Sequence, residues 1–501
     1  MYNILNIWPT AKYRSGICEL NGKEKRGMNA MNRDLLNEYP RPDEASVDRL
    51  LAEEIHSFMG KIIVLDDDPT GTQTVHGVSV YTRWDYSSIR EGFEEPGALF
   101  YILTNSRALS AAESAALHEE AARTIHRVSK ETGTSYLIIS RSDSTLRGHY
   151  PLETEVLKNT YEECTGHAID GEVLCPFFKE GGRFTVGNIH YVLSGKELIP
   201  AAKTEFARDS TFGYASSDLR QYVEEKTEGR YPAGSVICIP MNLLRSADTN
   251  GVESLLLSAS DFQKIIVNAS DYCDLKVFCT ALYRAMKKGK RFMFRSAASF
   301  VKVIAGIPDR PLLGRGELSR SHSRYGGLIL IGSYTDKTTA QLSMLKGLDG
   351  IELLEFDSDL ITDLEALETE RQRILALASA CIQKGRHAVI YTKRKKLIFD
   401  NDTKETVLKR SVSISDALQS FAVQIGTAPS FLIAKGGITS SDIATKALHI
   451  RRAVVLGQVA PGIPAWETGP DSRYPGIPYI IFPGNVGEVD TLKHVISFFC
   501  S

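Results

Sequence analysis

From residue 61 onward the chain alternates two patterns. Short aliphatic and β-branched runs are followed by stretches whose apolar positions recur every three to four residues. KIIVLDD, ALFYILTNSRA, SYLIISRSD, SVICIP, KIIVNAS and RFMFRSA read as strands, and the Ala/Glu-rich stretch from Ser110 to about Lys130 reads as a helix. Such alternation predicts β-α units around a largely parallel sheet, with polar residues at the C-terminal strand ends, where these sheets take ligands.

The pattern restarts after residue 327. GLILIGSYTDKTTAQLSML, a Glu-rich helix near 362–384, HAVIYTK, a helix from Ser415, SFLIAKGGITSSDIATKAL and YIIFPGNVG predict a second α/β unit, with no internal repeat. Between the two, GIPDRPLLGRGELSRSHSRYGG is rich in Pro, Gly, Ser and Arg, which marks a linker. Residues 1–45 hold no sustained period, and Ser46 then caps SVDRLLAEEIHSF, which puts Val47, Leu50, Leu51, Ile55 and Phe58 on one face. The expected organisation is an N-terminal extension and helix at 1–60, a first domain at 61–305, a linker at 306–327 and a second domain at 328–501. The expected fold class is α/β: two domains with largely parallel sheets and a cleft between them.

Composition narrows the partners. With 43% apolar and 24% charged residues over 501 positions, the chain has a globular make-up, and wholesale disorder is excluded. A net charge of -2 lacks the excess of Lys and Arg that binding to a phosphate backbone draws on, so nucleic acid is set aside. No apolar run is long enough to cross a membrane, and the start MYNILNIW is broken by Pro9, Lys12 and Arg14. The cytoplasm is the expected compartment. Eight scattered cysteines, with no C-x-x-C pair, read as reduced and packed. Apolar helix faces suit either a domain core or a homodimer, and the sequence leaves both open.

Three segments carry candidate chemistry. In IIVLDDDPTGTQT an apolar strand ends in Asp66, Asp67 and Asp68, followed by a turn in which Gly71 lets the backbone approach a ligand. Carboxylates there can hold magnesium or take a proton from a hydroxyl, whereas the plainer reading is a capped acidic turn. Three adjacent carboxylates repel and call for a metal or counter-charge. In LIISRSDSTLRGHYPLE another strand ends in Arg141, Asp143, Ser144, Thr145, Arg147 and His149. Guanidinium groups grip a carboxylate or phosphate and hydroxyls match sugar hydroxyls, so this set suits a small polyhydroxylated anion. Arg183, Asn188 and His190 in FFKEGGRFTVGNIHY extend it, although that stretch also reads as a β-hairpin with exposed polar residues.

The third segment is SFLIAKGGITSSDIATKAL, in which Gly436 and Gly437 precede a helix opened by Thr439, Ser440, Ser441 and Asp442. Glycine frees backbone N–H groups to face an anion, and the helix start adds its dipole. Gly332 and Ser333, and Gly484, Asn485 and Gly487, could line the same cleft. Neither G-x-x-x-x-G-K-[ST] nor G-x-G-x-x-G occurs. A competing reading is the D-x-D-x-T start of haloacid-dehalogenase-type phosphatases, with Asp66 as nucleophile and Asp68 as acid. It leaves the second domain without a role.

In this order the segments resemble the four-carbon acid sugar kinase family, which includes threonate, erythronate and 3-oxo-tetronate kinases. The resemblance spans about residues 61–495. It rests on DDPTG at 67–71, RSDSTLRG at 141–148, GGRFTVGNIHY, FRSAASF around Ser299, GSYTDKTTAQ at 332–341, GGITS at 436–440 and PGNVG at 483–487. It implies a sugar-acid domain followed by a nucleotide domain, with ATP and Mg2+ used to phosphorylate a terminal hydroxyl in the cleft. Asp67 and Asp143 become candidates for the catalytic carboxylate. Arg141, Ser144, Thr145, Arg147 and Arg183 match the substrate half; Ser299, Gly436, Gly437, Ile438, Thr439 and Gly484 match the nucleotide half. The family pattern has lysine where Arg141 stands, an acid where Ile438 stands and Lys-Ser where Phe482 and Pro483 stand. The departures leave a second possibility, a non-catalytic sensor of nucleotide or sugar acid.

Overall fold

The computed structural model describes residues 30–318, 323–395, 397, 399, 402, 404–484 and 486–500. The extension before residue 30 and Asn485 lie outside the described residues, as does the side chain of Ile438. Among the described residues fifteen strands form one continuous sheet through both halves of the chain. From one edge the first half runs Ile237–Ile239, Gln263–Val267, Gly171–Cys175, Phe292–Ser296, Tyr136–Arg141, Lys61–Asp66, Leu99–Leu103 and Ser79–Tyr81, all parallel. The second half continues with Arg452–Ala460, Ile463–Thr468, Pro478–Phe482, Leu432–Lys435, Leu328–Ile331, His387–Thr392 and Ile351–Phe356. Its last five strands are parallel and its first two form an antiparallel hairpin.

The seam between the halves is antiparallel. Arg452, Ala453 and Val454 pair with Tyr81, Val80 and Ser79, so the two sheets share hydrogen bonds rather than resting face to face. Arg451 and Arg452 reinforce the seam through ion pairs to Glu91 and Glu95.

The strands form where the aliphatic runs lie because both sheet faces are covered. All six residues of Lys61–Asp66 are buried, as a strand in the middle of a helix-sandwiched parallel sheet requires. Helix Ala111–Thr132 starts at a capping box in which Ser110 and Glu113 satisfy each other's backbone N–H groups, and Gly133 ends it. Helix Glu44–His56 begins at Asp43 rather than Ser46, whose hydroxyl donates to the Asp43 carboxylate. The helix expected from Ser415 spans Lys404–Gln424.

Arg452–Ala460, Ile463–Thr468 and Ile351–Phe356 are strands that the hydrophobic pattern does not announce. Register shifts between Val455 and Gly457 and between Gln458 and Ala460 break the two-residue period, and Glu352 and Glu355 interrupt the third. A separate four-stranded sheet contains the hairpin of Arg183–Val186 and Ile189–Ser194, followed by Glu197–Pro200 and Met31–Asn32. Its hairpin turns part of its polar set inward, although Ser194 and Glu197 are exposed. His190 and Thr185 are buried and share a 2.9 Å hydrogen bond.

Candidate active site

Asp66, Asp67 and Asp68 stand at the C-terminal end of a central strand, between the ends of Tyr136–Arg141 and Leu99–Leu103. All three are buried, and arginines from the neighbouring strand ends neutralise them. Arg141 Nη1 donates to Asp66 Oδ1 at 2.9 Å and lies 3.5 Å from Asp67 Oδ1. Arg107, on a short turn entered through left-handed Asn105, pairs with Asp68 and lies 3.9 Å from Asp143 Oδ2. Arg147 Nε donates to that same oxygen at 2.6 Å.

The carboxylates differ in basicity because their surroundings differ. Burial raises Asp66 to about 7 and raises Asp67 too. Burial works the same way on Asp68 and Asp143, but Arg107 outweighs it at Asp68, and Arg147 and Arg107 outweigh it at Asp143, so both stay below the usual carboxylate range. Asp67 Oδ2 accepts from the Ser142 hydroxyl, whereas Asp67 Oδ1 is buried with no hydrogen-bond partner among the described residues. Asp66 is closed off: a β-carbon on Gly71 would lie 1.9 Å from its Oδ2, so the turn lies against that carboxylate. A phosphatase nucleophile would need that face open.

Asp143 gathers two of the substrate-half candidates, Thr145 and Arg147. Thr145 Oγ1 donates to it, and the guanidinium groups of Arg147 and Arg183 lie 5.1 and 5.8 Å from the Phe206 ring centroid. Burial lowers Arg183, which donates to Gly181 O. The Ser144 carbonyl meets His190 Nε2 at 2.8 Å. Beneath this layer, buried Glu153 pairs with Arg295 and accepts from Ser106; burial is overcome by Arg295 and His118, which hold it at about 2.

In the second half three neighbouring strands lead into glycine turns, one of them through Pro483. Gly332 follows Leu328–Ile331, Gly436 follows Leu432–Lys435 and Gly484 follows Pro478–Phe482. The turns pack tightly. A β-carbon on Gly332 would be 2.3 Å from Thr439 Oγ1, and one on Gly484 would be 2.6 Å from Ser333 Oγ. Gly436 has φ 127°, which side-chain-bearing residues rarely adopt. Thr335 and Thr338 hydroxyls both donate to Gly484 O at 2.9 Å. Phe482, where the family pattern carries lysine, is buried, and its register partner on the adjacent strand is Lys435.

Ser299, grouped by resemblance with the nucleotide residues, lies in the first half. It belongs to helix Ala298–Ile304, is fully buried, accepts from the Lys179 N–H at 3.2 Å and lies 3.3 Å from the Tyr272 hydroxyl.

The acidic turn is also where the halves touch. A β-carbon on Gly437 would lie 3.1 Å from Asp68 Oδ2. Trp466 Nε1 donates to Thr72 Oγ1 at 2.9 Å, and Gln73 Nε2 donates to Gly462 O at 3.0 Å. The counter-charge that three adjacent carboxylates demand is supplied by Arg107 and Arg141. Among the described residues no three His, Cys, Asp or Glu side chains are arranged to hold a metal ion.

Residues 62–304 match the model of a sugar-binding N-terminal domain, and residues 328–492 match that of a nucleotide-binding C-terminal domain. The chain belongs to the four-carbon acid sugar kinase family. Solved structures share its fold. Haemophilus influenzae protein HI1011 aligns with a TM-score of 0.58 at 14% identity, covering 87% of this chain and all (100%) of that one. A protein from Salmonella typhimurium LT2 aligns with a TM-score of 0.63 at 14% identity, covering 86% of this chain and 98% of that one. No curated protein matches the sequence. No helix among the described residues is long and apolar enough to cross a membrane.

Arg107, Glu153, Arg295 and Lys435 belong to this architecture yet escape the sequence. Arg107, Arg295 and Lys435 sit in or just after apolar strand runs, and Glu153 opens helix Leu152–Thr165. The available signal is a charged residue at a strand end or inside a buried strand, where it needs a partner from elsewhere.

Proposed function

We propose that this family member is an ATP-dependent kinase that phosphorylates a terminal hydroxyl of a four-carbon sugar acid, of threonate, erythronate or 3-oxo-tetronate type. The observation that carries the reading is the approach of Gly437 to Asp68, because it sets the acidic turn of the sugar-binding half against the glycine turn of the nucleotide-binding half.

In this reading Arg147, Arg183 and Arg107 hold the acid, with Ser144 and Thr145 beside its hydroxyls. Asp67 is the better base. Its Oδ1 accepts no hydrogen bond among the described residues, with Arg141 Nη1 held off at 3.5 Å, and its basicity is raised by burial, whereas Asp143 is spent on two arginines. The acceptor hydroxyl gives its proton to Asp67 as its oxygen takes the terminal phosphoryl group, and ADP leaves. ATP phosphates lie on the Gly436–Gly437 turn, with Thr439 and Gly484 beside them. Positioning and charge neutralisation are most of what phosphoryl transfer asks of a protein. Mg2+ would come with the nucleotide and would supply charge neutralisation of its phosphates.

The test is ADP release from Mg-ATP across a panel of four-carbon sugar acids and their 3-oxo forms, with Asp67→Asn as control. Turnover on one member that the control lacks supports the kinase and names its substrate. Nucleotide binding with silence across the panel removes the kinase reading for these acids and favours a sensor.

A further inference from the structure

Lys435 ends the strand Leu432–Lys435, which lies between the strands leading to Gly332 and Gly484. Its side chain is fully buried. Buried ammonium groups ordinarily face a carboxylate, since an unpaired buried charge is costly. Lys435 does not. Among the described residues its side chain makes one hydrogen bond, to Pro483 O at 3.1 Å, and no carboxylate lies within ion-pair distance. The ammonium otherwise lies over the Phe482 ring, 3.8 Å from its centroid.

The charged groups that act on it are cations from two other elements. Lys337 comes from helix Asp336–Ser343, and Arg394 follows the strand His387–Thr392. Arg394 is itself anchored on Ser333 O and Thr339 Oγ1, beside the Gly332 turn. The carboxylate across the seam, Asp68, is taken by Arg107. Burial first, then Lys337 and Arg394, bring Lys435 down to about 7. Three cations thus converge on the glycine turns with no anion among the described residues to answer Lys435. A methionine would fill the space beside Phe482 without that cost.

We propose that Lys435 pairs with the phosphates of the bound nucleotide and takes up a proton as they arrive. The inference rests on the kinase reading above and names a residue to which that reading gives no task. Phosphate supplies the negative charge the cluster lacks, which favours the ammonium form. Nucleotide affinity is then linked to pH around neutrality, through a group outside the sugar-acid site.

Isothermal titration of Mg-ATP, Mg-ADP and adenosine at pH 7, in buffers of different ionisation enthalpy, tests this. The wild type is expected to take up about half a proton per nucleotide, since Lys435 near 7 is half charged beforehand. Lys435→Arg, charged throughout, is expected to bind nucleotide with that uptake abolished. Lys435→Met is expected to bind Mg-ATP at least about tenfold more weakly while binding adenosine as the wild type does. Equal uptake by wild type and Lys435→Arg overturns the proposal, a comparison that survives any folding defect in Lys435→Met. Equal weakening of adenosine and ATP by Lys435→Met overturns it too, because it marks a structural role. A wild type that binds no adenine nucleotide overturns the kinase reading together with this inference. Tight ATP binding unaffected by Lys435→Met overturns this inference alone.

Discussion

Gly437 and Asp68 come from opposite halves of the chain and lie close enough that one added methyl group would stand 3.1 Å from the carboxylate oxygen. That separation is tighter than ordinary packing, and Asp68 is fixed by Arg107 and by the Thr70 N–H. Gly437→Ala is therefore expected to disturb the meeting of the halves more than the fold. Alanine favours the helix that follows, so the melting temperature should stay level or rise. Turnover should fall about tenfold. Unchanged turnover would separate this contact from the chemistry.

Asp67→Asn keeps the size of the side chain and its hydrogen bond to Ser142 while removing the base. The expected loss in kcat is at least a hundredfold, on the order that general-base removal costs, with the unfolding curve little changed. Steady-state kinetics with the best sugar acid decides it; a near-normal kcat transfers the base to another group.

Asp66 predicts a pH signature in stability. Its folded-state value, raised from 3.8 to about 7, means the folded protein holds this proton more tightly than the unfolded chain does. The associated stability is complete below about 4 and is lost as pH climbs to about 7. Asp66→Asn cannot titrate. The stability of the wild type relative to this variant should therefore decline by roughly 1 kcal/mol or more between pH 4.5 and 8, as read from urea unfolding. A constant difference would show that Asp66 ionises normally.

Arg107 neutralises Asp68 and faces Asp143. Arg107→Gln should raise KM for the sugar acid and lower stability by about 1–3 kcal/mol, because it leaves a buried carboxylate short of its partner. Both effects are measurable on one preparation. A KM shift without loss of stability would mean Asp68 finds another cation.

Thr72→Val removes the acceptor of the Trp466 indole N–H, which is buried. The expected cost is about 1–2 kcal/mol in unfolding free energy, with KM for the sugar acid unchanged. Chemical denaturation of the pair of proteins checks it.

The α/β class was legible because each half repeats strand and helix with clean periods, and the capping pair Ser110 and Glu113 marks a helix start in plain text. The antiparallel hairpin at the seam was not. Bulges near Gly457 and Ala460 scramble its alternation, and its partner, Ser79–Tyr81, is only three residues long. The acidic turn and the Arg141 strand end stood out in the sequence, and the fold brings Arg141 into contact with Asp66. Arg107 did not stand out, because its value lies in what strand order sets beside it. Lys435 reads as the polar end of a strand until neighbouring elements turn out to bring it cations instead of an acid.

The seam itself has a mechanical consequence. Since Ser79–Tyr81 and Arg452–Val454 are stitched by main-chain hydrogen bonds, any swing of one half toward the other must twist a shared ribbon rather than flex a loose tether. Reorientation then winds an elastic element that favours its resting geometry. Ligand contacts would have to supply the torque, and loss of those contacts would let the ribbon unwind.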